Sequence, residues 1–421
     1  MIQTERVEGC TIEAGPDSFL SAKPAALELI RDLGLADQVI GSSDHLRVTF
    51  VRKRGRLVAL PDGLMMMVPT RILPLLGTRL VGLRTKIRMG LELLRTPRPA
   101  AGDRSVAEFI EEHYGREALD YLAEPLLSGV YGGNPSELSV SSVLPRFVEL
   151  AGRYGSLTRG VLAERARAAR ARSNQPAPPL FRTLRGGLGQ MVDGVADAIH
   201  STAEVLHARA EAVERTGAGF RVRVAGDWLE AGRVVMACEA HSASALLGGV
   251  DGRLAELLAT VPYTSSMTVA LGYDARDFAR LPRGFGFLVP RKERRRLVAC
   301  TWVGTKFSHR VPEGKVVARC FLGGRDDAAV LEESDERVAA AVTEELREIA
   351  QVTAPARFCR ISRWPRSMAQ YTVGHPARLR EMEERTAAIA GLHLAGNAYQ
   401  GIGIPDCIRM GRAAADKILA G

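Results

Sequence analysis

Residues 391–411 read GLHLAGNAYQGIGIPDCIRMG, and the order of residue types here decides how the rest of the chain is read. Residues 392–395 are apolar and strand-like, Gly396, Gly401 and Gly403 space the loop, and Pro405 with Asp406 opens a helix that runs to about 419. Glycine has no Cβ, so a ligand can come close to the main chain. Free N–H groups beside the positive end of a helix suit a phosphate or an electron-rich carbonyl. A tight strand-to-helix turn that holds nothing would use the same residues.

Partners for that strand must be sought far upstream. The opening residues alternate as a hairpin with its turn at Glu8-Gly9, a second strand over 11–13, and Gly15-Pro16 as punctuation. A helix over 24–33 follows, with Pro24 in its first turn and Gly34 just past its end. Sheet then disappears until a helix within 183–199 and three strand patterns, EVLHAR (204–209), FRVRV (220–224) and RVVMA (233–237). In FRVRV the apolar Phe220, Val222 and Val224 alternate with arginines, as one covered face requires. More strands fall between 261 and 324, before a long helix capped by Ser334.

Between these blocks the chain is helical. Residues 61–100 mix apolar side chains with Arg71, Arg79, Arg84, Lys86, Arg88 and Arg95, which predicts either a core element or an amphipathic surface laid on lipid. Residues 103–131 read as two helices interrupted at Pro125. The run ARARAARARSNQPAPP, centred on 168–179, reads as an exposed connection.

The totals remove several classes. With 421 residues, 46% hydrophobic and 25% charged, the chain can bury a real core in two or three lobes. The net charge of +9 is carried by arginine, since only 7 of the 57 cationic residues are Lys; codon bias explains this better than nucleic-acid binding, for which no motif is seen. Cys10, Cys238, Cys300, Cys320, Cys359 and Cys407 are scattered without a CxxC pair, as reduced thiols in a cytoplasmic protein are. No HExxH and no GxSxG motif occurs, so metal hydrolysis and serine acyl transfer lose their usual signals. No run of 18 apolar residues and no signal-peptide core is present.

The stretches EAGPDSFLSAKPAALELIRDLGL, EPLLSGVYGGNPSELSV, GSLTRG, GFGFLVPRKE, TWVGTKF, QYTVGH and LAGNAYQGIGIPDCIRMG together resemble the bacterial protoporphyrinogen/coproporphyrinogen oxidases of the monoamine-oxidase-like FAD superfamily. They follow the same order over essentially the whole chain. The resemblance implies an α/β (α+β) fold in which a Rossmann-like FAD domain is assembled from residues 1–44, 186–244 and 358–421. It implies a mixed-sheet substrate domain over 245–357 and a helical, membrane-associating domain over 45–185. The implied activity is oxidation of a porphyrinogen with FAD as cofactor and oxygen as acceptor, in a cytoplasmic protein able to sit on an anionic membrane surface and to form a homodimer. The flavin carries the hard chemistry, which accounts for the lack of an obvious nucleophile or metal site.

By the same resemblance Gly15, Pro16, Gly396, Asn397, Gly401, Ile402, Gly403 and Ile404 border FAD, and Val205 supplies backbone contacts to adenine. Arg47, Arg52 and Lys53 lie where substrate carboxylates need cations, a task suited to bidentate arginine, and Met368 joins Met65–Met67 as a lining of an apolar slot. Two departures from the family pattern, Glu239 and Ala369 in place of common prolines, fall at turns. The family's opening strand, GxGxxG turn and helix do not appear in these residues, and Arg185–Gln190 (RGGLGQ) does not fit that fingerprint. Two other readings follow: a relative acting on amines or polyenes, and a shortened, non-catalytic tetrapyrrole-binding protein.

Overall fold

The computed structural model describes residues 2–97, 102–171, 178–278 and 284–420. Part of the predicted exposed connection, residues 172–177, lies outside the described residues.

A seven-stranded sheet organises the chain, in the order Phe358–Ala369, Tyr263–Asp274, Lys315–Gly323, Ala299–Trp302, Gly286–Leu288, Thr49–Lys53, Arg56–Ala59. All neighbours are antiparallel except Gly286–Leu288 with Thr49–Lys53. Strand Tyr263–Asp274 is buried along most of its length because both of its faces are covered. Met267, Val269 and Leu271 meet Val338, Val342 and Leu346, spaced four apart on helix Asp335–Ala350. Ala270, on the other face, meets Val7, Cys10 and Ile12 of the first hairpin (Thr4–Val7 with Cys10–Glu13). Residues 49–59 and 358–369, expected in the helical and flavin segments, are thus hydrogen-bonded into this sheet.

The helices between 106 and 171 pack around Phe109, Ile110, Leu122 and Leu127. Ser105 and Glu108 form a reciprocal capping box at the start of Val106–Tyr114. Buried Glu92 accepts the N–H groups of Leu157 (2.6 Å) and Thr158 (3.3 Å), fixing the start of Leu157–Ala171. The 61–100 segment buries one side and exposes the other: Met67, Val68, Leu75, Leu80, Val81 and Met89 join the same core, while short helices Ile72–Gly77 and Leu83–Leu91 turn Leu73, Leu83, Ile87 and Leu91 outward, all more than half exposed.

The ends of the chain share one core. Phe19, Ala26 and Ile30 pack with Leu184, Leu188 and Met191, and Ile404 and Ile408 of the closing helix Ile404–Ala420 lie against them. Val234–Met236 pairs in parallel with Leu392–Leu394 as a two-stranded sheet. The strand expected at 204–209 is absent. Those residues are irregular, Val205 and Leu206 are exposed, and no described strand lies alongside to take up their N–H and C=O groups. Apolar, β-branched composition is insufficient without a neighbour.

Candidate functional site

The loop at 396–403 is held from beneath. Tyr371 Oη donates to the Asn397 carbonyl (2.7 Å) and accepts the Gly401 N–H (2.8 Å), clamping both ends of the turn. His375 stacks on Tyr371 with ring centroids 4.2 Å apart, and its Nε2–H donates to the Tyr399 carbonyl (3.1 Å). The Asn397 side chain is spent on structure, accepting from Tyr263 Oη (3.2 Å) and donating to the Ser367 carbonyl (2.9 Å). Burial pushes Tyr263 up to about 12 and raises Tyr371 too, so both remain neutral phenols able to donate and accept.

The backbone above these supports is left open. Gly396 and Gly401 have φ of 128° and 124°, and a Cβ on Gly401 would lie 2.5 Å from Asp406 Cγ. Asp406, in the first turn of the closing helix, takes Lys23 Nζ at 2.5 Å and so ties the loop to the first segment. Among the described residues the N–H groups of Gly396, Asn397, Ile402, Gly403 and Ile404 find no acceptor. Such donors at a helix start suit a ligand's carbonyl or anionic oxygens.

Gly15 and Pro16 are fixed from the central sheet. The Ala14 carbonyl accepts from Thr268 Oγ1 (2.7 Å) and Trp364 Nε1 (2.9 Å), and the Gly15 carbonyl accepts from Arg319. Beside them Glu13 accepts Arg310 Nη2 (2.8 Å), the Leu188 N–H (2.8 Å) and Thr4 Oγ1 (2.7 Å). Arg310 also donates to Thr183 Oγ1 (2.6 Å), and both members of the pair are almost fully buried. Burial would raise the Asp17 carboxyl, but Lys306, Arg319 and Arg310 overcome it and hold the group well below the usual carboxylate range.

The glycine turn at 185–190 offers nothing to a phosphate. The Gly186 N–H goes to Gln190 Oε1 (2.7 Å), Gly187 to the Leu184 carbonyl (3.0 Å), Leu188 to Glu13, and Gly189 to Thr4 Oγ1 (2.9 Å). The donors present therefore fit the carbonyl-bearing ring of a flavin, while no glycine cradle for its diphosphate occurs among the described residues.

The cations expected to meet substrate do not converge. Lys53 Nζ is engaged by Glu117 (3.1 Å) and the Leu80 carbonyl (2.6 Å). Arg52, on the opposite side of the same strand, is directed to the Glu293 carbonyl (3.5 Å) and to Glu348 (3.8 Å). Arg47 is exposed. Met368 is half-buried opposite Thr264 and close to Gly132. Val205 lies on the exposed irregular segment. Sequence reasoning assigned no role to Tyr371, His375, Arg310 or Glu13; the QYTVGH stretch holds the first two and the EAGPDSFL stretch begins at Glu13, whereas Arg310 carries no signal because its burial depends on a residue 297 positions away.

Discontinuous segments around a strand, a donor-rich loop and a helix, packed on a mixed sheet, define a nucleotide-cofactor oxidoreductase, and the chain belongs to the flavin containing amine oxidoreductase family, which residues 2–419 match. It is 31% identical over 425 residues to the coproporphyrinogen III oxidase of Bacillus subtilis (strain 168), covering 99% of this chain and 88% of that protein. The coproporphyrinogen III oxidase of Staphylococcus aureus (strain NCTC 8325 / PS 47) is 28% identical, with 100% and 91% covered. A solved structure from Exiguobacterium sp. 255-15, described provisionally as a protoporphyrinogen oxidase, superposes with a TM-score of 0.87 at 28% identity over 100% of this chain and 90% of that one. Cyclohexylamine oxidase of Brevibacterium oxydans IH-35A, at 15% identity and a TM-score of 0.67 over 99% of this chain and 91% of that one, shares the fold. Among the described residues no helix is long and apolar enough to cross a membrane.

Proposed function

We propose that this chain, with FAD, oxidises a porphyrinogen to the porphyrin in haem biosynthesis, and that coproporphyrinogen III is its substrate ahead of protoporphyrinogen IX. The observation that carries this is the whole-length match, 31% to one coproporphyrinogen III oxidase against 26% to a plant protoporphyrinogen oxidase and 15% to an amine oxidase. The chemistry FAD supplies when bound is hydride acceptance, repeated for each macrocycle, with oxygen as final acceptor. The chain itself binds and orients: the open N–H groups at 396–404 hold the ring end, Tyr371 fixes their spacing, and the clamped Ala14–Pro16 turn borders the same region.

In this reading residues 1–44, 186–244 and the chain beyond about 370 form the flavin-binding part, supported by the shared core of Phe19, Leu184 and Ile404. Strand Phe358–Ala369 goes with the substrate sheet, to which it is hydrogen-bonded. The outward Leu73, Leu83, Ile87, Leu91 and Leu94, flanked by Arg84 and Lys86, support peripheral docking on an anionic membrane. The test is anaerobic mixing of the FAD-reconstituted chain with each porphyrinogen. Flavin bleaching faster with coproporphyrinogen III is expected; flavin that stays oxidised with both but is bleached by an alkylamine would overturn the reading.

A further inference from the structure

Two clefts lie away from the loop at 396–404, and their charge balance differs. One, of about 310 Å3, is lined by Arg95, Arg104 and Glu112, and Glu112 accepts from both arginines, so its charge is compensated internally. The other, of about 460 Å3, is lined by Arg215, Arg233, Lys417 and His393 on walls that include Gly217 and Gly232. None of these three cations pairs with a carboxylate among the described residues; Arg233 reaches only the Ile418 carbonyl (2.6 Å) at the end of the closing helix. The contrast is pointed in a chain whose arginines are otherwise extensively paired.

We propose that the second cleft binds a compact polyanion, a small molecule carrying two or more phosphate or carboxylate groups. A cleft of this volume is roughly 8 Å across, about one Debye length at physiological salt, so its cations act together on whatever enters. His393 reports the surplus: burial, Lys417 and Arg233 all depress its pKa. The N–H groups of Gly217, Ala218 and Gly232 have no acceptor among the described residues, adding neutral donors to the charged ones. Apart from the His393 imidazole, no aromatic and no large apolar side chain lines the walls, so the cleft offers no apolar slot for a macrocycle, and recognition rests on oxyanions. The cleft opens where strands Val234–Met236 and Leu392–Leu394 begin, whereas the loop at 396–404 lies where the second of them ends. It is therefore separate from the proposed flavin site.

The test is calorimetric titration of the full chain, without flavin, by inorganic pyrophosphate and by citrate at constant ionic strength. One or both should bind, and the double variant R233Q/K417Q should weaken that binding at least tenfold, while R167Q/R337Q, which removes two exposed cations elsewhere, leaves it unchanged. Preference for one probe identifies the oxyanion. Absence of binding by either probe, or equal loss in the two double variants, overturns the proposal. Because no step involves flavin, the result stands whether or not the porphyrinogen reading holds.

Discussion

Replacing Arg310 with Met tests whether the buried pair at Glu13 fixes the first segment. Arg310 and Glu13 are 1% and 2% exposed, so the substitution leaves a carboxylate in the interior without its cation. Breaking such a pair costs about 3–5 kcal/mol. Glu13 keeps Thr4 Oγ1 and the Leu188 N–H, which moves the cost toward the lower end, while Thr183 loses its donor, adding about 1 kcal/mol. About 3–4 kcal/mol is therefore expected. Glu13→Gln removes the stranded charge, so the double variant E13Q/R310M should be no less stable than R310M alone, a coupling of about 2 kcal/mol or more. Equilibrium urea unfolding followed by tryptophan fluorescence measures this, and Trp364, whose indole donates to the Ala14 carbonyl, reports on this region. Additive costs of the two single variants, or a loss under about 1 kcal/mol for R310M, would refute the reasoning.

Tyr371→Phe strands the Asn397 carbonyl and the Gly401 N–H; with about 1 kcal/mol per bond, FAD affinity should fall at least tenfold in a fluorescence titration, and an unchanged affinity would remove Tyr371 from the proposed clamp. Gly401→Ala must displace Asp406 and should cost about 1–3 kcal/mol in urea unfolding, whereas Gly411→Ala, in a helix with open space around it, should be neutral or stabilising. His375 is buried, its Nδ1 has no partner among the described residues, and burial lowers its pKa. The unfolded chain therefore takes up a proton below about pH 6.5 that the folded one refuses, so stability should fall as pH drops, by up to about 1.4 kcal/mol per pH unit. His375→Gln should flatten that slope, and an unaltered profile would assign it to other groups. Leu73→Asp with Ile87→Asp should abolish co-sedimentation with anionic vesicles without changing the melting temperature; retained binding would place the membrane contact elsewhere.

What the sequence made legible was local. The strand, glycine loop and helix at 392–420 and the first hairpin are written in neighbouring residues, and each forms as read. Residues 204–209 have strand composition but no strand neighbour, which composition cannot supply. Arg52 and Lys53 looked available because the carboxylates that occupy them, Glu348 and Glu117, come far later in the chain. Tyr371 is one of eight tyrosines, and only the folded loop distinguishes it. Pairings across long separations are what the one-dimensional pattern leaves out.

The Glu13–Arg310 pair also sets an order of events during synthesis. Its members are 297 residues apart, so at roughly 5–20 residues per second about 15–60 s pass between their emergence from the ribosome. For most of that interval the first hairpin has neither its ionic partner nor Ala270 and Val317, against which its apolar face packs. Until most of the polypeptide exists Glu13 stays hydrated, and Cys10 and Ile12 stay exposed. A chain terminated anywhere upstream of 310 leaves the first hairpin without its ionic partner, a consequence of where one arginine sits in the order of translation.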